Sequence, residues 1–125
     1  MIKVSDLSFS YNGVDDALKN ISLEISKGSW VSILGHNGSG KSTLSKLLVG
    51  LLSPASGEIY IDNMKLDEAH ISEIRKKIVI VFQNPDNQFV GVTVKHDIAF
   101  GLENQCIPHD EMVDKINHYA SLVGM

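Results

Sequence analysis

Gly35-His36-Asn37-Gly38-Ser39-Gly40-Lys41-Ser42-Thr43, GHNGSGKST, carries the pattern G-x-x-x-x-G-K-[ST] at Gly35, Gly40, Lys41 and Ser42. At average residue frequencies the pattern arises by chance in roughly 0.5% of chains of this length. Gly35, Gly38 and Gly40 lack a Cβ, so the backbone can curl and approach an anion closely. Successive N–H groups then point inward as a phosphate nest. A helix starting near Lys41 adds its free N–H groups and partial positive charge at the same place. In this pattern the lysine reaches the β- and γ-phosphates and the hydroxyl of the next residue sits on Mg²⁺. Lys41 and Ser42 are therefore expected in those roles, with Thr43 on the α-phosphate.

The flanks suit such a loop. Trp30–Leu34 is a nearly unbroken apolar run, expected as a strand covered on both faces in a parallel sheet, with Trp30 packed against that sheet. Leu44, Leu47, Leu48 and Leu51 recur at helical spacing until Ser53-Pro54 ends the pattern. Upstream, Ile2, Val4, Leu7, Phe9 and Tyr11 read as a strand whose alternation slips phase at Ser5-Asp6, as a bulge would make it. Ile21, Leu23 and Ile25 form a second half-buried strand, closed by the turn residues Lys27-Gly28.

Downstream, Gly57–Asp62 reads as a strand, Ile71–Lys77 as a weak helix and Ile78–Phe82 as another buried strand. Asn84-Pro85-Asp86-Asn87 is loop-like. Thr93 is the expected N-cap of a helix bearing Val94, Ile98 and Leu102. Pro108 suits the first position of a last helix with Met112, Ile116, Tyr119, Ala120 and Val123 as its stripe and Gly124 as its C-cap.

Composition narrows the classes. The 125 residues are 43% hydrophobic and 21% charged, with a formal net charge of −4 and one arginine, Arg75. That is a globular balance and lacks the broad basic field a nucleic-acid binder relies on. Arg75-Lys76-Lys77 reads as a solvated helix edge. The single cysteine, Cys106, has no intrachain partner and fits a reduced thiol. Met1 opens onto Ile2-Lys3-Val4, where nothing marks secretion, so no secretory leader is expected, and no apolar run approaches the ~20 residues of a membrane span. The five histidines show no metal-ligand spacing.

Three features together resemble the ATP-binding-cassette ATPases. The first is GHNGSGKST itself, with Asn37 and Ser39 as that family favours. The second is Ala17–Ile25 followed by Lys27-Gly28 ahead of the loop. The third is Val79-Ile80-Val81-Phe82-Gln83, where Gln83 matches the family's Q-loop glutamine. The run Gln83–Phe89, then Val92-Thr93-Val94 and Asp97–Leu102, is most similar to ATPase subunits of energy-coupling-factor importers of vitamins and of cobalt or nickel ions.

The resemblance implies an α/β P-loop NTPase core with an N-terminal antiparallel β-hairpin subdomain and the start of a helical subdomain. Its parts would be 1–34 (β subdomain and P-loop strand), 35–83 (P-loop to Q-loop) and 84–125 (Q-loop linker and first helices). It implies ATP and Mg²⁺ as ligands, held by Tyr11, Gly35, His36, Asn37, Gly38, Ser39, Gly40, Lys41, Ser42, Thr43 and Gln83. Tyr11 would stack on adenine, Ser42 and Gln83 would ligate Mg²⁺, and Lys41 and Gln83 would serve catalysis. A second cassette would dimerise with this one. A transmembrane coupling subunit would dock near Gln83–Phe89, placing the protein peripherally on the cytoplasmic face of the membrane.

No apolar run ending in Asp-Glu follows Gln83, and neither a Leu-Ser-Gly-Gly-Gln signature nor a switch histidine in matching context is present. The C-terminal catalytic half is thus expected to be absent, and this chain alone is expected to hydrolyse nothing. The alternatives are a non-catalytic nucleotide sensor and a cassette working on ribosomes or DNA. The acidic charge weighs against the latter.

Overall fold

The alternation of Ile2, Val4, Leu7 and Phe9 produces β1 (Ile2–Ser10), which pairs antiparallel with β2 (Asp16–Ile25). The computed structural model describes residues 1–84 and 88–125, in two units, Met1–Ile80 and Val81–Met125. In the first unit the sheet order is β2-β1-β3-β4, with β3 at Ser56–Ile61 and β4 at Met64–Lys65. Every pairing is antiparallel.

The phase slip in β1 is a bulge. Val4 faces Leu23, but the next partner pair is Leu7 with Ile21, and Asp6 takes φ +49°. Its N–H donates to Ser22 Oγ at 2.8 Å, so the displaced amide is satisfied. On the other side of β1, Gly57 takes φ +86°, and a Cβ there would lie 2.5 Å from the carbonyl oxygens of Ser5 and Asp6. Only glycine fits opposite this bulge. The bulge keeps Val4, Leu7 and Phe9 all on the buried face.

Onto that face packs α1 (Lys41–Leu48), burying Leu44, Leu47 and Leu48 with Val4, Leu7 and Ile59 in one cluster. Each such side chain contributes roughly 1.5–3 kcal/mol of burial. The helix ends earlier than its leucine spacing predicts. Gly50 takes φ +68°, its N–H donates to the Leu47 carbonyl at 3.0 Å, and the Leu51 N–H donates to the Lys46 carbonyl at 2.9 Å. This is a Schellman closure, and it leaves Leu51 exposed. The short helix α2 (Ile71–Arg75) adds Ile74 to the core.

Two expectations are corrected. Trp30–Leu34 and Ile78–Phe82 form no ladder among the described residues, and Trp30 and Leu34 are 95% and 91% exposed. Trp30 does not pack on the sheet. A buried parallel strand needs a ladder partner and cover on both faces, and no described segment pairs with either run. The parallel part of the expected sheet is therefore not formed here.

The second unit holds α3 (Val94–Glu103) and α4 (His109–Leu122), with Leu102 and Ile116 as its buried side chains. Thr93 caps α3 as expected, its Oγ1 accepting from the His96 N–H at 3.3 Å. Pro108 stands at the cap of α4, one residue before the helix, and Gly124 (φ +75°) follows its end. The apolar stripe of α4 is only partly used, since Tyr119 and Val123 are exposed. Among the described residues no helix is long and apolar enough to cross a membrane.

Leu47 is fully buried under the sheet. Leu47→Ala is expected to lower stability by about 2–5 kcal/mol, whereas Leu51→Ala stays within about 1 kcal/mol. Urea unfolding followed by circular dichroism compares the two midpoints.

Candidate nucleotide-phosphate site

The loop closes on itself before the helix begins. The Ser39 N–H donates to the His36 carbonyl at 3.2 Å, and Gly38 and Gly40 take φ +83° and +86°. At Gly40 there is also no room: a Cβ would lie 2.6 Å from Leu18 Cδ2 and 2.8 Å from the Ala17 carbonyl oxygen. The absence of a side chain lets the loop rest directly on the start of β2. Gly35 is tight as well, since a Cβ there would meet Ser39 Oγ at 2.5 Å.

No side chain caps α1. The first backbone donor of the helix is Leu44, whose N–H reaches the Gly40 carbonyl at 2.8 Å. The N–H groups of Lys41, Ser42 and Thr43 are therefore the first-turn donors that helical carbonyls do not reach. Lys41 folds back over the loop, donating from Nζ to the carbonyls of Gly35 and His36, each at 2.7 Å. The ammonium thus sits on the concave side with the partial positive end of the helix.

Ser42 presents an exposed hydroxyl on the first turn. Thr43 is buried, and its Oγ1 lies 3.1 Å from the Tyr11 hydroxyl. Asn37 bonds through its carbonyl to His36 Nδ1 at 2.8 Å, so the His36 ring nitrogen donates to the loop backbone.

Tyr11 follows β1 directly, its ring edge-on to Phe9 with centroids 4.9 Å apart. The structure thus brings Tyr11 and residues 35–43 together in the first unit. Gln83 belongs to the second unit and is exposed. Of the expected docking run Gln83–Phe89, residues Pro85, Asp86 and Asn87 lie outside the described residues.

Two relationships escaped the sequence reading. Phe9 stands two residues before Tyr11, a spacing that could have flagged the ring contact. Asp97 Oδ1 accepts from the N–H groups of Val90 and Gly91 at 2.9 and 2.6 Å, fastening that segment to the first turn of α3. An aspartate in the first turn was the available signal.

A cavity of about 260 Å³ opens beside the loop, lined by Leu18, Ile21, Leu23, Ile33, Leu34 and Leu44 with Ser39, Gly40 and Lys41. Its walls are too apolar for a polyphosphate. The larger cavity, about 410 Å³, lies away from the loop between Gly50, Leu66 and Arg75.

Displaced titrations also lie elsewhere. Glu58 is held below the usual carboxylate range by hydrogen bonds from Lys65 and then Tyr60. Asp62 is held down by the N-terminal ammonium, 2.7 Å away. These are exposed surface pairs and mark no chemistry. Among the described residues no group of three His, Cys, Asp or Glu side chains could hold a metal.

A glycine loop leading into a helix N-terminus beside a sheet is the plan of a P-loop protein. The family described as ABC transporter matches residues 18–125, and the chain belongs to that family. It is 58% identical to the energy-coupling factor transporter ATP-binding protein EcfA1 of Mycoplasmopsis synoviae, covering 100% of this chain and 48% of that protein. The structure is similar to that of cbiO1 from Clostridium perfringens, described as part of the ABC transporter complex cbiONQ. There the TM-score is 0.84 at 39% identity, over 99% of this chain and 50% of that one. It also resembles the ATP-binding cassette MJ0796, solved as a dimer bound to ADP and Pi. That match has a TM-score of 0.79 at 34% identity, over 94% of this chain and 55% of that one. The chain spans about half the length of the curated relatives it matches.

Gly40 and Gly38 separate the two sources of strain in the loop. Gly38→Ala meets open space and is expected to lose about 1–2 kcal/mol from the left-handed backbone alone. Gly40→Ala carries the same penalty plus the clash with Ala17 and Leu18, and should lose clearly more. Denaturant midpoints of the two variants check the order.

Proposed function

We propose that this chain is the N-terminal part of the ATP-binding subunit of an ABC-type importer of the energy-coupling-factor class. The observation that carries the reading is the closed loop with Lys41 Nζ over its concave side and the uncapped first turn of α1 beneath it. The similarity to energy-coupling factor transporter ATP-binding proteins supports the class of transporter.

In this reading the N–H groups of the loop and of residues 41–43 bind the phosphate oxygens, and Lys41 leaves the Gly35 and His36 carbonyls for the β- and γ-phosphates. Thr43 donates to the α-phosphate, and the exposed ring of Tyr11 carries the adenine. Gly35, His36, Asn37, Gly38, Ser39 and Gly40 form the wall of the cradle. The hydroxyl of Ser42 and the amide oxygen of Gln83 suit Mg²⁺, a hard cation that takes oxygen ligands and keeps several waters. When bound, Mg²⁺ neutralises developing charge on the phosphates.

Residues 1–34, 35–83 and 84–125 act as β subdomain, phosphate-to-Q-loop core and linker with first helices. The whole protein would pair two cassettes beneath a transmembrane coupling subunit that docks near Gln83–Phe89. It would sit on the cytoplasmic face of the membrane and drive uptake of a vitamin or of cobalt or nickel ions. Phosphoryl transfer to water needs several preorganised charged groups. Residues 1–125 carry a cradle and two candidate oxygen ligands but lack the apolar run ending in Asp-Glu that would supply a carboxylate for water, so in this reading the chain alone turns over no ATP.

In the full-length protein, Lys41→Ala is expected to weaken Mg-ATP binding at least tenfold and abolish turnover, with the fold retained by circular dichroism. Isothermal titration and phosphate release read the two effects. Steady turnover by residues 1–125 alone, lost on Lys41→Ala, would contradict the assignment.

A further inference from the structure

Resting on the nucleotide reading above, we propose that Tyr11 is a positioning residue: its hydroxyl aims the proton of Thr43 at the α-phosphate. One side chain would then serve both ends of an adenine nucleotide, the ring carrying the base and the hydroxyl ordering the phosphate contact.

The two hydroxyls are 3.1 Å apart across 32 residues of sequence. Thr43 is 7% exposed, and Tyr11 is its one side-chain hydrogen-bond partner among the described residues. A threonine on a helix commonly turns its hydroxyl back to a carbonyl one turn earlier. Here it turns to Tyr11. The tyrosine itself is 64% exposed yet held at both ends of its ring, by Phe9 at 4.9 Å and by Thr43. The turn behind it is braced too. Asn12 Oδ1 accepts from the Val14 and Asp15 N–H groups, and Ser10 Oγ donates to the Asp15 carbonyl at 2.7 Å. A ring that only filled space at the end of a strand would need none of this fastening.

The chemistry fixes a direction. A hydroxyl carries one proton and two acceptor lone pairs. A phosphate oxygen accepts only, so Thr43 can serve it only by donating its single proton. Its own oxygen must then accept, and the phenolic O–H of Tyr11 is the donor in place. In the free site either direction is open. With a phosphate bound only one remains, and a chain of donors running Tyr11 to Thr43 to phosphate strengthens each link. Phenylalanine at position 11 would keep the stacking face and lose that chain.

The test is a double-mutant cycle on Mg-ADP binding by the full-length protein, read by isothermal titration. Tyr11→Phe is expected to weaken binding about fivefold, the size of one hydrogen bond. In a Thr43→Val background Tyr11→Phe should have no further effect, because nothing is left to orient. Thr43→Ser restores a hydroxyl in the same place, so there the effect of Tyr11→Phe should return. It also keeps the cycle readable if Thr43→Val does not fold. Unchanged or tighter binding by Tyr11→Phe, or an equal loss in the Thr43→Val background, overturns the proposal. Failure of the unsubstituted protein to bind Mg-ADP would instead overturn the nucleotide site.

Discussion

Gly40 stands where no side chain can be: a Cβ would lie within 2.8 Å of both the Leu18 side chain and the Ala17 carbonyl. Much of the first unit depends on that close approach. It sets the first turn of α1 against the start of β2, so Leu44 and Leu47 fall onto the buried face of the sheet. The same seating opens the helix at Gly40 with no side-chain cap, so the N–H groups of residues 41–43 are reached by no helical carbonyl. On the proposed function, packing and anion binding are therefore one constraint, and a residue that spoiled the first would spoil the second. The bulge at Asp6 belongs to this constraint, because it holds Leu7 and Phe9 on the face that α1 covers.

Charge is arranged with the same economy. The chain is acidic overall, and many lysines of the described surface are spent on carboxylates: Lys65 on Glu58, Lys76 on Glu73, Lys77 on Asp62, Lys115 on Glu111. Lys41 is held differently, by two backbone carbonyls. Carbonyl dipoles solvate an ammonium without cancelling its charge, whereas a carboxylate partner would. The full positive charge of Lys41 thus remains beside the helix N-terminus. A local anion site can then exist on a surface whose long-range field repels anions, since that field is screened within ~10 Å at 0.1 M salt.

What could be read from the residues divides along the reach of the interactions. The P-loop, the bulged strand and the Thr93 cap were legible because each is written within a few neighbouring residues. The end of α1 was only half legible: Leu51 continued the helical period, but the left-handed Gly50 terminates the helix first. The turn of the glycine loop into α1 was legible, while the contact between Tyr11 and Thr43 was not, since nothing local announces a bond across the fold. Trp30–Leu34 and Ile78–Phe82 misled for a further reason. An unbroken apolar run states that a segment is to be covered on both faces, but not by what.

That last point bears on the cradle. Its helix side is fixed by Gly40, Leu44 and Leu47, all packed within the first unit. Its strand side is the run Trp30–Leu34, which enters Gly35 directly and has no ladder bonds among the described residues. A loop held at one end keeps more conformational freedom than one held at both, and ordering each backbone residue costs about 1–2 kcal/mol. Hydrogen bonds along Trp30–Leu34 would restrain Gly35 and His36, whose carbonyls hold Lys41 in the free site. On the proposed function, phosphate affinity would thereby depend on sheet pairing several residues away.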